Sequence, residues 1–176
     1  MSERERVEHL VLEHLTAAGI DHEPGGRPGE VVATLPGEHK LRTTASLLVG
    51  DHSLSASAFV VRRPDENSAE VHRWLLRRNA RLHGIAFAVD DAGDVYLVGR
   101  LPLVGVTLAT LDALLGALLD AADSSFDPLL ALGFLSSMRR EWAWRVSRGE
   151  STRNLEAFRH LLEDQPAAGG REPGTP

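Results

Sequence analysis

The chain has 176 residues, 43% of them hydrophobic and 25% charged, with a formal charge of −6. That length and balance suit one globular domain and exclude the low-hydrophobicity, high-charge composition of disorder, while the acidic sign excludes a surface that is a nucleic-acid trap all over. The absence of cysteine excludes disulfides, thiolate metal sites and cysteine nucleophiles together.

Val7, Leu10, Val11, Leu15 and Ala18 recur at helical spacing, and Gly19 is placed to end this first helix. "HEPGGRPGE" (His22–Glu30) reads as a Pro/Gly connector, and "EVVATLP" after it as a short strand stopped by Pro36 and Gly37. Two β-compatible runs, Leu41–Val49 and Ser53–Val61, flank "GDH" and predict an antiparallel hairpin. In the second run Leu54, Ala56, Ala58 and Val60 alternate with serines, so one face is buried and the other partly wet.

Pro64 stops that strand, and Asn67 with Glu70 three residues later has the form of a capping box opening a helix over Ala69–Gly84. Beyond Gly84 two strands flank the acidic turn "DDAGD", and Thr107 is placed to cap a very apolar third helix striped by Leu108, Leu111, Leu115 and Leu118. Pro128 interrupts that pattern; a further helix is expected over Ser136–Ser147, and Ser151 can cap a last one through Leu162. The order α-βββ-α-ββ-α predicts the α+β class: an antiparallel sheet of about five strands, helices on one face, and C-terminal helices. Residues 1–165 are expected to form a single domain, including a helical extension over about 136–164, with 166–176 a disordered tail by composition.

No signal-peptide pattern opens the chain, and the longest apolar run, Leu101–Leu111, is far short of the ~20 residues of a membrane span. A cytoplasmic protein without membrane contact is expected.

"WLLRRNARLHGIAFAVDDAGDVYLVGRLPL", followed by "TLATLDALLGALL", resembles the YbjN family of bacterial sensory transduction regulators. "SSMRREWAWRVSRGESTRNLEAFRHLL" resembles its actinobacterial branch, and the resemblance spans roughly Val7–Leu162. Members are similar in fold to class I type III secretion chaperones, small homodimers that hold an extended segment of a partner protein. The resemblance therefore implies an α+β homodimer with a protein partner, and a signature of apolar positions, glycines and Asn79 that is not a catalytic set.

On the second helix Arg73, Arg77 and Arg81 follow at i, i+4 and i+8. They form either a solvated stripe or an anion-binding one. Arg78 falls among the apolar positions, where an unpaired charge is costly, so it must snorkel, meet a partner chain or pair with Asp65, Glu66 or Asp94. Asn79, near the helix end, suits a side chain that caps backbone groups.

Farther on, Met138, Trp142 and Val146 share one helical face while Trp144 points away from it beside Arg140 and Arg148. That trio either seats an anionic partner or is buried as structure. Asp90–Asp94 lacks the further ligands of an EF-hand and reads as a turn; His9 and His14 are five apart and share no helical face; His39 and His52 could meet only through tertiary structure. Neither metal nor cofactor is expected. With no G-x-S-x-G, P-loop or G-x-G-x-x-G, the expectation is a non-enzymatic regulator or chaperone-like adaptor that binds a protein segment as a homodimer, with Leu108, Leu111, Leu115 and Leu118 at the dimer interface. The alternative is a small anionic ligand or nucleic acid at the arginine and tryptophan patches.

Overall fold

A computed structural model of the chain describes residues 1–156 together with 158, 159 and 162. These fall into two compact units, the first Met1–Gly133 and the second beginning at Phe134. The expected tail, 166–176, and parts of the last expected helix lie outside the described residues.

The first unit runs α1 (Glu3–Ala17), β1 (Asp21–Pro24), β2 (Glu30–Pro36), β3 (Arg42–Val49), β4 (Ser53–Val61), α2 (Ser68–Asn79), β5 (Ile85–Val89), β6 (Val95–Pro102) and α3 (Leu108–Gly133). Its six strands form one antiparallel sheet in the order β1-β2-β3-β4-β6-β5, against which α1, α2 and α3 pack. The class is α+β.

Alternation decides which face the helices cover. Ala33, Ala45, Ala58, Leu97 and Phe87 lie in one row across β2, β3, β4, β6 and β5, and all are buried. The neighbouring row, Val32, Ser46, Ser57, Val98 and Ala86, points to the other face, and none of it is buried. The alanines make a shallow seat for α3, whose Leu111, Leu115, Leu118, Ala122 and Leu129 are buried. Gly99 completes the seat, because a Cβ there would stand 3.0 Å from Leu114 Cδ1 and Ile85 Cγ2.

The structure corrects the sequence reading at several points. The supposed connector contains β1, which pairs with Val31–Thr34 as a hairpin. Its composition hid it, since Pro24 and the charges at Asp21 and Glu23 suit a strand that ends a sheet. Gly29 closes that hairpin at φ +76°, with its carbonyl accepting from Val49 N–H.

The Asn67–Glu70 capping box does not form. Asn67 is left-handed (φ 53°) and its amide donates to Leu132 O, while Glu70 pairs with Arg73. Helix α2 ends at Asn79, five residues early, so Arg81 and Leu82 sit in a turn outside the helix. Pro128 does not end α3; the helix runs through it without the N–H that would have reached the carbonyl of Ser124.

The expected hairpins stand. Gly50 N–H bonds Ser53 O in the first, and Asp90 accepts from Ala92 and Asp94 N–H in the acidic turn of the second. Thr107 caps α3 by accepting from Thr110 N–H.

The second unit contains α4 (Leu135–Arg148), closed by Gly149 at φ +66°, and the short α5 (Arg153–Glu156). Met138 is buried, but Val146, expected on the same face, is exposed.

Candidate functional site: an apolar groove beside the first helix

Helix α1 is anchored along its N-terminal half. Ser2 and Glu5 form a reciprocal capping box, and Arg4 bridges Glu8 at 2.9 Å and Asp51 at 3.1 Å. The Arg6 guanidinium donates to the carbonyls of Leu103 and Val106 at 3.0 and 3.1 Å. Val7, Val11 and Leu15 are fully buried, whereas Leu12, one residue off that face, is 44% exposed.

Between α1 and the β1–β2 hairpin lies a groove of about 410 Å³. Leu12, Pro24 and Val31 supply its accessible apolar lining over the buried Val11 and Val49, with Glu8, His22, Gly29 and Glu30 around them. The rim charges are already satisfied. Glu8 is held by Arg4, while hydrogen bonds from Arg27 and then Ser46 pull the Glu30 carboxyl down to about 2. His22 Nδ1 lies 2.8 Å from Ile20 O, so that nitrogen carries the donated hydrogen, and Nε2 has no hydrogen-bond partner among the described residues. A groove of this kind can take the apolar side chains of an extended segment.

The two sheet edges differ. β1 ends the sheet with no strand beyond it among the described residues, but it is short, charged and carries Pro24. At the opposite edge Asn79 Oδ1 accepts from Phe87 N–H at 2.7 Å and its Nδ2 donates to Phe87 O at 3.2 Å, so the middle of β5 is occupied. Asn79 thus caps backbone groups, but those of a neighbouring strand and not of its own helix.

Of the residues singled out from sequence, Trp144 and Arg148 are brought together on α4. Arg73 pairs with Glu70, Arg77 is exposed on α2, and Arg81 has left the helix. Arg78 meets none of its three expected acids. Its Nη2 donates to Ser124 Oγ at 3.0 Å, Asp65 pairs with Arg62, and Asp94 accepts from Arg63 N–H. On α4 the Arg148 guanidinium stacks over Trp144 at 4.9 Å and Trp144 is 47% exposed, whereas Arg140 bonds Ser137. Leu111, Leu115 and Leu118 are buried inside the chain, leaving Leu108, 54% exposed, as the one member of that set open to a second copy. The sheet consumes the apolar surface that suggested a dimer interface there.

The groove escaped the sequence reading because β1 did. Leu12, an apolar side chain one step outside the buried stripe of α1, was the available signal.

No helix among the described residues is long and apolar enough to cross a membrane. The model of the YbjN family, described as "Putative bacterial sensory transduction regulator", matches residues 9–131. An uncharacterised protein of Mycobacterium tuberculosis is 53% identical over 138 residues, 78% of this chain and 75% of that protein. Among solved structures, the ExsC-ExsE complex aligns with a TM-score of 0.54 at 23% identity, covering 71% of this chain and 94% of that one. The HopA1-SchA chaperone-effector complex aligns at 0.50 and 13% identity, covering 68% and 91%. At these identities the structural likeness concerns the fold.

Proposed function

The chain is a member of the YbjN family, and from that premise we propose that it is a non-enzymatic, chaperone-like adaptor that acts as a cytoplasmic homodimer and holds a segment of a partner protein. The observation that carries this reading is the groove beside α1, apolar in its lining and with its rim carboxylates already paired. Likeness of fold to a protein in a chaperone-effector complex supports a protein as the occupant. The partner segment lies along α1 and the β1–β2 hairpin, with apolar side chains against Leu12, Pro24 and Val31.

The test is affinity capture of the tagged protein from its own cell extract, with Leu12→Glu run in parallel. A discrete protein that stays bound at high salt and is lost from the variant is the expected result. A partner retained equally by Leu12→Glu overturns the groove; no retained protein overturns the adaptor. Light scattering across micromolar concentrations tests the dimer, and a constant mass near 19.1 kDa overturns it.

The alternative, an anionic ligand or nucleic acid at the arginine patches, is supported by the Arg148–Trp144 stack, a cation on an exposed aromatic face. The Arg73, Arg77 and Arg81 stripe supports it less, since Arg73 is neutralised by Glu70 and Arg81 is off the helix.

A further inference from the structure

The face of the sheet opposite the helices is not a uniform wet surface. On it Ser46 pairs across strands with Ser57, Ser57 with Val98, Leu48 with Ser55, and Ser55 with Arg100. These side chains line one concavity of about 370 Å³, which Arg27 enters from the β1–β2 loop.

The polar groups around it are unequally spent. Ser46 donates to Glu30, and Arg27 uses its Nε and Nη2 on the same carboxylate. Ser55, Ser57 and Arg100 make no side-chain hydrogen bond or ion pair among the described residues, and Arg100 is exposed. Since Glu30 stays ionised at neutral pH and cancels Arg27, the concavity carries a net charge of +1, centred on Arg100.

We propose that this concavity is an oxyanion site for a phosphoryl group, free or as a small monoester, bound by Arg100, Ser55 and Ser57 with Arg27 on the opposite side. A tetrahedral anion suits donors spread over three elements, Ser55 and Ser57 on β4, Arg100 on β6 and, from the β1–β2 loop, the Nη1 that Arg27 does not spend on Glu30, better than a planar carboxylate, which one guanidinium fork suffices to bind. Val98, Gly99 and Arg100 also line an adjoining hollow with Ile85 and Ala86, which offers apolar surface for the organic part of a monoester. The site opens on the face of the sheet opposite the helices, shares the Arg27–Glu30 pair with the rim of the groove beside α1, and does not depend on the adaptor reading.

The experiment is calorimetric titration of the full chain with inorganic phosphate and with phenyl phosphate at low and high salt. Saturable, salt-sensitive binding in the millimolar range or tighter is expected, weakened about tenfold or more by Arg100→Gln and to a smaller degree by the Ser55→Ala/Ser57→Ala pair. Tighter binding of phenyl phosphate assigns the monoester; equal binding assigns free phosphate. No saturable binding of either probe overturns the site, as does an Arg100→Gln protein that binds as well as the parent. Both variants change exposed or half-exposed positions, and an unchanged thermal midpoint shows that they fold.

Discussion

Asn79 completes the β-ladder of Phe87, one side-chain amide satisfying both the N–H and the C=O that β6 leaves unused. An asparagine amide has the donor and acceptor of a peptide unit, so the last residue of α2 stands in for a seventh strand at the middle of an edge.

Replacing Asn79 by Leu strands two partly buried backbone groups, at a cost of about 1–3 kcal/mol in urea unfolding. Asp is expected to be no better, because it accepts from Phe87 N–H but sets a second oxygen against Phe87 O. Both variants open the β5 edge, and light scattering should show self-association increasing with concentration. A Leu variant as stable and as monodisperse as the parent would contradict the plug.

Glu30 makes stability depend on acid. Its carboxyl, ordinarily near 4.5, is held at about 2 by hydrogen bonds from Arg27 and Ser46. A depressed folded value means that the stabilisation is complete above about 4.5 and disappears as pH falls toward 2. Urea midpoints measured between pH 5 and 2 should fall more steeply for the parent than for Glu30→Gln; parallel curves would show that the carboxylate adds nothing.

Lys40 works at the other end of the scale. Its ammonium lies 5.2 Å from the centre of the Phe59 ring and donates to Phe59 O, while burial lowers it from 10.5 to about 8. The folded chain then binds fewer protons than the unfolded one between those values, so this residue makes stability rise from pH 8 to 10.5. In Lys40→Met, denaturation curves over that range should lack the rise. The same slope in the variant would refute the assignment.

Leu115→Ala removes a side chain from under α3, where it is 4% exposed, and should cost roughly 2–5 kcal/mol. Its effect is on the protomer: light scattering should give the parent's oligomeric mass wherever the variant is folded. Leu108→Ala, at an exposed position, should stay within about 0.5 kcal/mol of the parent. A change of oligomeric mass in Leu115→Ala, with stability unaltered, would return that leucine to an interface.

What could be read from sequence was set by range. The alternation in Ser53–Val61, the turn at Asp90–Asp94 and the Thr107 cap are local patterns, and each appears in the structure. Elements that depend on a distant neighbour were misread. Asp21–Pro24 becomes a strand only because β2 lies beside it, and Asn67 forgoes its capping role because Leu132 O lies within reach. Arg78 and the serine face needed the register itself, since no spacing along one chain segment puts Arg100 opposite Ser55. Of the candidate residues, the Trp144–Arg148 pair was legible because both lie on one helix.

The strand order carries a kinetic consequence. Four of the five ladders join strands that follow one another in the chain, so a β1–β4 meander and a β5–β6 hairpin close over short loops. Only the β4–β6 ladder spans an intervening strand and helix, and its register shift between Phe59 and Val61 lies at the end where the two pieces meet. Assembly of the sheet is therefore the docking of two local pieces along one seam, and substitutions at Ala58, Leu97 or the Phe59–Val61 bulge should weigh on the folding rate more than those in either hairpin turn.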